Sequence, residues 1–356
     1  MNEEPATQRP TRYAVFATVV VAACGSNPSL GVPDAPAVPD ARAAVDAAVD
    51  AAPAVYTPVP FADTYDAHSV LLNKCNQLMH VAGSAPAESG RYPLAIFLVG
   101  TNAKYDGPGI VDHVLPLLAS HGFVAASVEY ENSTLFGAAQ NCSLYQDNAS
   151  CMIRNDLDYV VGERHSALAR LCARTKADCS KGVVVLGHSQ GGLTALQMFE
   201  VTPAAPPATE PMPRLVAAAP MGVGPTGYLL GVPVIHLDAC VSAATLAVDP
   251  HALLVVNGEN DAFFNGPDAD PAGGQQALEA VTGRTCAAPT WDCRGPDGDG
   301  FVLVEKTQTS TGRATHGYMD LPGGGAFEEP NWSSPLNVDA WGLESVTRWL
   351  KRQTAP

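Results

Sequence analysis

Apolar residues along this chain fall into short continuous runs, separated by longer stretches in which they recur every three or four positions. The runs 94–99 (LAIFLV), 123–128, 182–186 (GVVVL), 215–220, 253–257 and 301–306 are mostly apolar, and the third is β-branched. That length and composition belong to strands buried on both faces. Between them, 110–120, 152–173 and 193–199 read as helices, the second with Leu157, Val160, Val161, Leu168 and Leu171 on one side. Leu343, Val346 and Leu350 share helical spacing and predict a closing helix over 338–352. Strand and helix alternate from Tyr92 onward, which predicts an α/β fold: a mostly parallel central sheet with helices on both faces. Two stretches, 221–250 and 262–300, break the rhythm with Gly, Pro and Asp. The second should hold one helix at 275–281, and both are candidates for loops over a pocket.

The first sixty residues follow neither pattern. Arg9 and Arg12 precede an apolar stretch over 13–23, and Val21-Ala22-Ala23-Cys24 resembles a bacterial lipobox, in which the Cys accepts lipid and becomes the mature N-terminus. Residues 1–23 are therefore expected to be a lipoprotein signal peptide. From 25 to 60, Ala, Pro, Val and Asp fill 27 of 36 positions, so the segment cannot bury enough apolar surface to offset ordering. Residues 24–60 are expected to be a tether, and 61–356 one catalytic domain. Export is the expected localisation, at an outer membrane, the cell surface or the periplasm, with the membrane reached through the lipid on Cys24.

Charge narrows the classes. The chain of 356 residues carries 36 Asp and Glu against 20 Lys and Arg, a formal charge of −16. From residue 61 onward 30 acids face 17 bases, so the acidity belongs to the folded surface. Phosphate neutralisation needs basic clusters, and a nucleic-acid partner is not expected. No apolar run reaches the roughly 18 residues of a membrane span.

The candidate chemistry centres on Gly187-His188-Ser189-Gln190-Gly191, a G-x-S-x-G placed directly after a strand and before a helix. Small flanking residues permit the tight turn that exposes the serine hydroxyl, and the helix start aims free N–H groups at a reacting carbonyl. On this motif, and on an acid and a histidine that follow in that order, the stretch 61–352 resembles the α/β-hydrolase superfamily. It is most similar to secreted serine esterases of the dienelactone hydrolase, chlorophyllase and polyester hydrolase kind. The resemblance implies Ser189 as nucleophile and, in the turn Gly258-Glu259-Asn260-Asp261 after the strand 253–257, Asp261 as the acid. Asp238 is the rival acid, and Glu259 lies inside the turn. Of nine His, only His316 follows the last expected strand, so it is the expected base. His188 is expected to be a packing residue, and the remaining His show no metal-ligand spacing. The oxyanion donors are expected to be the N–H groups of Gln190 and Thr101, with Asn102 in reserve. Many relatives carry a His-Gly ahead of that second donor, where this chain has Val99-Gly100-Thr101.

The expected reaction is hydrolysis of a small or polymeric carboxylic ester through an acyl-enzyme. A peptidase, a thioesterase, or a non-catalytic surface lipoprotein with this fold are the alternatives. No cofactor is expected, and Asp297-Gly298-Asp299-Gly300 lacks the full ligand spacing of a calcium loop. Setting Cys24 aside, eight Cys are left for an oxidising compartment. Pairing near neighbours joins Cys142 to Cys151, Cys172 to Cys179 and Cys286 to Cys293, which leaves Cys75 for Cys240.

Overall fold

The computed structural model describes residues 55–67, 77–133, 142–154, 165–199, 212–266, 271–287, 291–309, 314–319 and 342–355. The expected signal segment, Cys24 and the tether up to residue 54 lie outside them. The described strands form one large sheet and one hairpin. The strands are β1 (Pro58–Ala67), β2 (Gln77–Pro86), β3 (Leu94–Leu98), β4 (Val124–Val128), β5 (Val183–His188), β6 (Leu215–Met221), β7 (Thr226–Leu229), β8 (Val232–His236), β9 (Leu254–Gly258), β10 (Asp292–Arg294) and β11 (Gly300–Val304). Nine lie in the order β1-β2-β4-β3-β5-β6-β9-β11-β10, and β7 with β8 forms a separate antiparallel ribbon. From β4 through β11 neighbouring strands run parallel, while β1, β2 and β10 add antiparallel edges.

Every residue of β3, β4, β5, β9 and β11 is buried. Successive side chains point to opposite faces, so both faces of the central sheet are covered. The covering helices are α1 (Leu115–Ser120), which continues a wider first turn at Ile110–Val114, α2 (Ser143–Asp147), α3 (Ala167–Cys172), α4 (Gln190–Gln197), α5 (Pro271–Thr282) and α6 (Leu343–Gln353). On α6, the expected Leu343, Val346 and Leu350 are buried, together with Trp349. This is the α/β-hydrolase fold.

Three departures from the sequence pattern have local causes. β1 starts at Pro58, within the stretch read as tether, and Tyr56 packs on the core with its ring 5.3 Å from that of Tyr92. The helix expected over 152–173 is not continuous. Ser166 is extended (φ −99°, ψ 159°), and its hydroxyl accepts the Ala169 N–H to start α3 afresh. Leu157, Val160 and Val161 lie outside the described residues. The stretch 221–250 holds the β7–β8 ribbon, which the Gly and Pro content concealed.

Cystine pairing is corrected. Cys172–Cys179 and Cys286–Cys293 form as expected, each across seven residues. Cys142, however, bonds to Cys240, 98 positions away, which excludes both Cys142–Cys151 and Cys75–Cys240. Cys75 lies outside the described residues. The long bridge forms because α2 packs against α4, and the Gln197 amide near the end of α4 donates to the Cys240 carbonyl at 2.7 Å. Nearness along the chain carries no information about that packing. No helix among the described residues is long and apolar enough to cross a membrane.

Candidate active site

Ser189 sits at the tip of the β5-to-α4 turn with φ 54° and ψ −120°, a left-handed conformation that a non-glycine residue adopts only when its surroundings impose it. Those surroundings are main chain. The Ser189 N–H donates to the Met221 carbonyl at 2.9 Å, and its own carbonyl accepts the Leu193 N–H at 3.0 Å. The flanking glycines permit the crossing. A Cβ on Gly187 would lie 2.5 Å from the Gly191 backbone, and one on Gly191 would lie 2.1 Å from the Leu98 carbonyl oxygen. The turn therefore presses α4 directly against β3 and lifts the serine hydroxyl above the sheet.

His316 Nε2 lies 2.9 Å from Ser189 Oγ, and His316 Nδ1 lies 2.9 Å from Asp261 Oδ2. The three sequence candidates thus meet in one hydrogen-bonded series. Asp261 is fully buried, and its Oδ1 accepts the N–H groups of Phe263 and Phe264 at 2.9 and 3.0 Å. One carboxylate oxygen thus takes two backbone donors while the other faces the imidazole. Ser189 and Asp261 take up the two imidazole nitrogens. Asp238 is exposed, and Glu259 lies 3.9 Å from the Lys306 ammonium. Phe263 and Phe264 form an edge-to-face pair whose rings lie 5.1 and 5.4 Å from that of His316, an apolar wall beside the Asp–His contact.

The histidine arrives on a backbone ladder. Asn260 donates its N–H to the Ala314 carbonyl at 2.7 Å, and Asn260 bridges in parallel to Thr315, so the loop before His316 lies along the acid-bearing turn. Gly258 allows the approach, since a Cβ there would stand 2.2 Å from the Ala314 oxygen.

His188 does more than fill space. It is buried, and its ring lies 5.0 Å from that of His316. Its Nε2 is 2.8 Å from the His316 carbonyl oxygen. A carbonyl only accepts, so the proton sits on Nε2 and holds the His316 backbone in place. Its position next to Ser189 was the available signal, but that adjacency did not reveal a contact with residue 316.

The two expected oxyanion residues are joined. Thr101 Oγ1 donates to Gln190 Oε1 at 2.9 Å, and Gln190 Nε2 donates to the Glu131 carbonyl at 3.2 Å. Gln190 opens α4, so its N–H has no partner inside the helix. The reserve candidate is engaged elsewhere, because Asn102 gives its N–H to the Asn132 carbonyl at 3.0 Å.

A groove of about 570 Å³ runs along β1 past Phe61, Asp63, Arg170, Arg174 and Lys176 and shares no residue with this site. Its cations are already engaged. Arg170 and Arg174 pair with Asp63, and the Lys176 ammonium donates to three carbonyls. No cluster of potential metal ligands occurs among the described residues.

No family model and no curated protein matches the chain. Among solved structures, it is similar to an S-formylglutathione hydrolase from Agrobacterium tumefaciens at 13% identity and a TM-score of 0.38, over 64% of this chain and 84% of that one. A structure of VrEH2 aligns at 15% identity and a TM-score of 0.28, and the epoxide hydrolase VrEH1 from Vigna radiata at 14% and 0.27. Each of the latter two alignments covers 46% of this chain and spans only 39% of the other.

Proposed function

We propose that the chain is a serine hydrolase that cleaves carboxylic esters through an acyl-enzyme. The observation that supports this reading is the unbroken hydrogen-bonded series Ser189–His316–Asp261, built on a strained turn after a parallel strand. In the proposed reaction Ser189 Oγ attacks the ester carbonyl as His316 Nε2 takes its proton. The Asp261 carboxylate holds the imidazole in the tautomer with Nδ1 protonated and stabilises the imidazolium that forms. The N–H groups of Gln190 and Thr101 receive the developing oxyanion. Collapse of the tetrahedral intermediate expels the alcohol, which takes the proton from His316. Water then enters by the same route in reverse, its proton passing to His316, and releases the acid from Ser189.

Ser189→Ala tests this directly. Hydrolysis of p-nitrophenyl butyrate should fall by about 10³-fold or more with folding retained, and labelling by a fluorophosphonate probe should vanish. Near wild-type turnover in the variant would refute the assignment. A wild-type protein that is neither labelled nor active would be a binding module on this fold.

The proposed setting is outside the cytoplasm, with the chain anchored by lipid on Cys24. The lipobox-like stretch suggests it, and the three disulfides among the described residues suit an oxidising compartment. Cys24→Ser should abolish palmitate incorporation in a bacterial host, and unchanged incorporation would remove the anchor from this reading.

A further inference from the structure

The loop leaving β3 carries one of the two N–H groups assigned to the oxyanion, and within it the Ala103 N–H donates to the Gly100 carbonyl at 3.2 Å. Asn102 within it has φ 58°, a left-handed position that Asn enters more readily than most residues and that contacts from outside the loop reinforce. The hold comes from the segment after β4. Asn132 donates through Nδ2 to the carbonyls of Gly100 and Ala103, both at 2.8 Å. Its own backbone carbonyl accepts the Asn102 N–H at 3.0 Å. One residue therefore grips the loop on both sides of Thr101 and fixes the left-handed position between. Carbonyls only accept, and the primary amide reaches both with the two hydrogens on its one nitrogen.

The residue beside it serves the other donor. The Glu131 carbonyl accepts from Gln190 Nε2 at 3.2 Å and from the buried Asn148 Nδ2 at 2.9 Å. With the Thr101 hydroxyl on Gln190 Oε1, the two oxyanion residues are tied to each other and to the consecutive residues 131 and 132.

We propose that Asn132 is a positioning residue for the oxyanion site: by clamping Gly100 through Ala103 it aims the Thr101 N–H, and it acts on the transition state more than on substrate capture. The inference rests on the ester-hydrolase reading above. An oxyanion donor counts only where charge develops, so a loosened loop loses interaction with the tetrahedral species while ground-state binding changes little.

Asn132→Asp keeps the shape but presents an acceptor to two carbonyls, and Asn132→Ser keeps a single donor. Deleting an oxyanion donor costs about 10²–10³ in kcat, so displacing one should cost about 10–100-fold in Asn132→Asp and less in Asn132→Ser. KM should stay within about threefold, since uniform binding is untouched. An alkyl boronic acid, which forms a tetrahedral anionic adduct on serine, should lose affinity in proportion to kcat/KM. In Asn132→Ser, which adds no charge, the pH profile of kcat/KM should keep its wild-type midpoint, because the histidine and its acid are not addressed. Far-UV circular dichroism and thermal melting accompany each variant, and if Asn132→Asp does not fold, Asn132→Ser decides. Wild-type kcat, a raised KM alone, unchanged boronate affinity despite lost turnover, or a shifted pH midpoint in Asn132→Ser would each overturn the assignment. These outcomes leave the ester-hydrolase reading standing as long as Ser189→Ala is inactive. A wild-type protein with no Ser189-dependent turnover overturns both.

Discussion

Asp261→Asn separates an orienting carboxylate from a merely structural one. The variant can keep its oxygen toward the Phe263 and Phe264 N–H groups, at 2.9 and 3.0 Å, or toward His316 Nδ1 at 2.9 Å. The second choice strands two buried N–H donors at about 1–3 kcal/mol each, so the oxygen stays with the backbone and Nδ2 faces the imidazole. A donor there forces Nδ1 to accept, and the proton moves to Nε2. His316 then donates toward Ser189 instead of accepting from it. The imidazolium also loses its counter-charge beside an apolar wall. Misplacing the tautomer in a triad of this kind lowers kcat by about 10⁴, or about 5 kcal/mol of barrier at 1.36 kcal/mol per decade. The assay is kcat on p-nitrophenyl butyrate, corrected by active-site titration, with melting temperature measured in parallel. Asp261→Asn should melt close to wild type, and Asp238→Asn, at an exposed position, should stay within about twofold in kcat. Turnover in Asp261→Asn within tenfold of wild type, or a larger loss in Asp238→Asn, would refute the reasoning.

Replacing Cys142 and Cys240 together by Ser opens a loop closed across 98 positions, which the chain-entropy relation values at about 4.7 kcal/mol against about 2.5 for each seven-residue bridge. Urea unfolding without reductant should show a loss of about 3–5 kcal/mol, and a loss below about 1 would contradict the relation here. Burial pushes the Lys351 ammonium down to about 8 from 10.5, aided by Lys181, so between those values the unfolded chain binds more protons and stability rises with pH. Lys351→Met should remove that rise, and wild-type and variant stability profiles that run parallel between pH 8 and 10.5 would refute it. Gly191→Ala should prevent correct folding, because its Cβ would stand 2.1 Å from a main-chain oxygen that cannot move aside. A soluble variant with wild-type melting would show that the turn has slack.

The central strands were legible because each is an apolar run buried on both faces, a signal that needs no knowledge of neighbours. β1 and β2 were not. Pro58 and Pro60 look like tether, yet an edge strand tolerates proline because one side of its backbone needs no partner. The β7–β8 ribbon hid for a different reason. Its reversal places Leu230 at φ 52° and Gly231 at φ 78°, two left-handed residues that Asn-Gly usually supplies, and Leu-Gly gives no such signal. For the site, Ser189, Asp261 and His316 stand out because each follows a readable strand. The grip of Asn132 and the His188 contact depend on which strand ends lie side by side, and the order β4-β3-β5-β6-β9 is not written in any local pattern.

The parallel bridge between Asn260 and Thr315 has a consequence for how this chain can change. The acid and the histidine stand 55 positions apart, yet a few main-chain atoms beside β9 set their registration. The excursion between them, with α5, β10, β11 and the Cys286–Cys293 bridge, is anchored to the sheet on its own account through β11. Its β10–β11 turn is held by contacts of its own, with Asp299 buried beside Arg284 and the Asp297 carbonyl accepting the Trp349 indole N–H at 3.1 Å. Changes in that excursion are therefore limited by its own packing, while the spacing of Asp261 and His316 is set by the main-chain contacts beside β9.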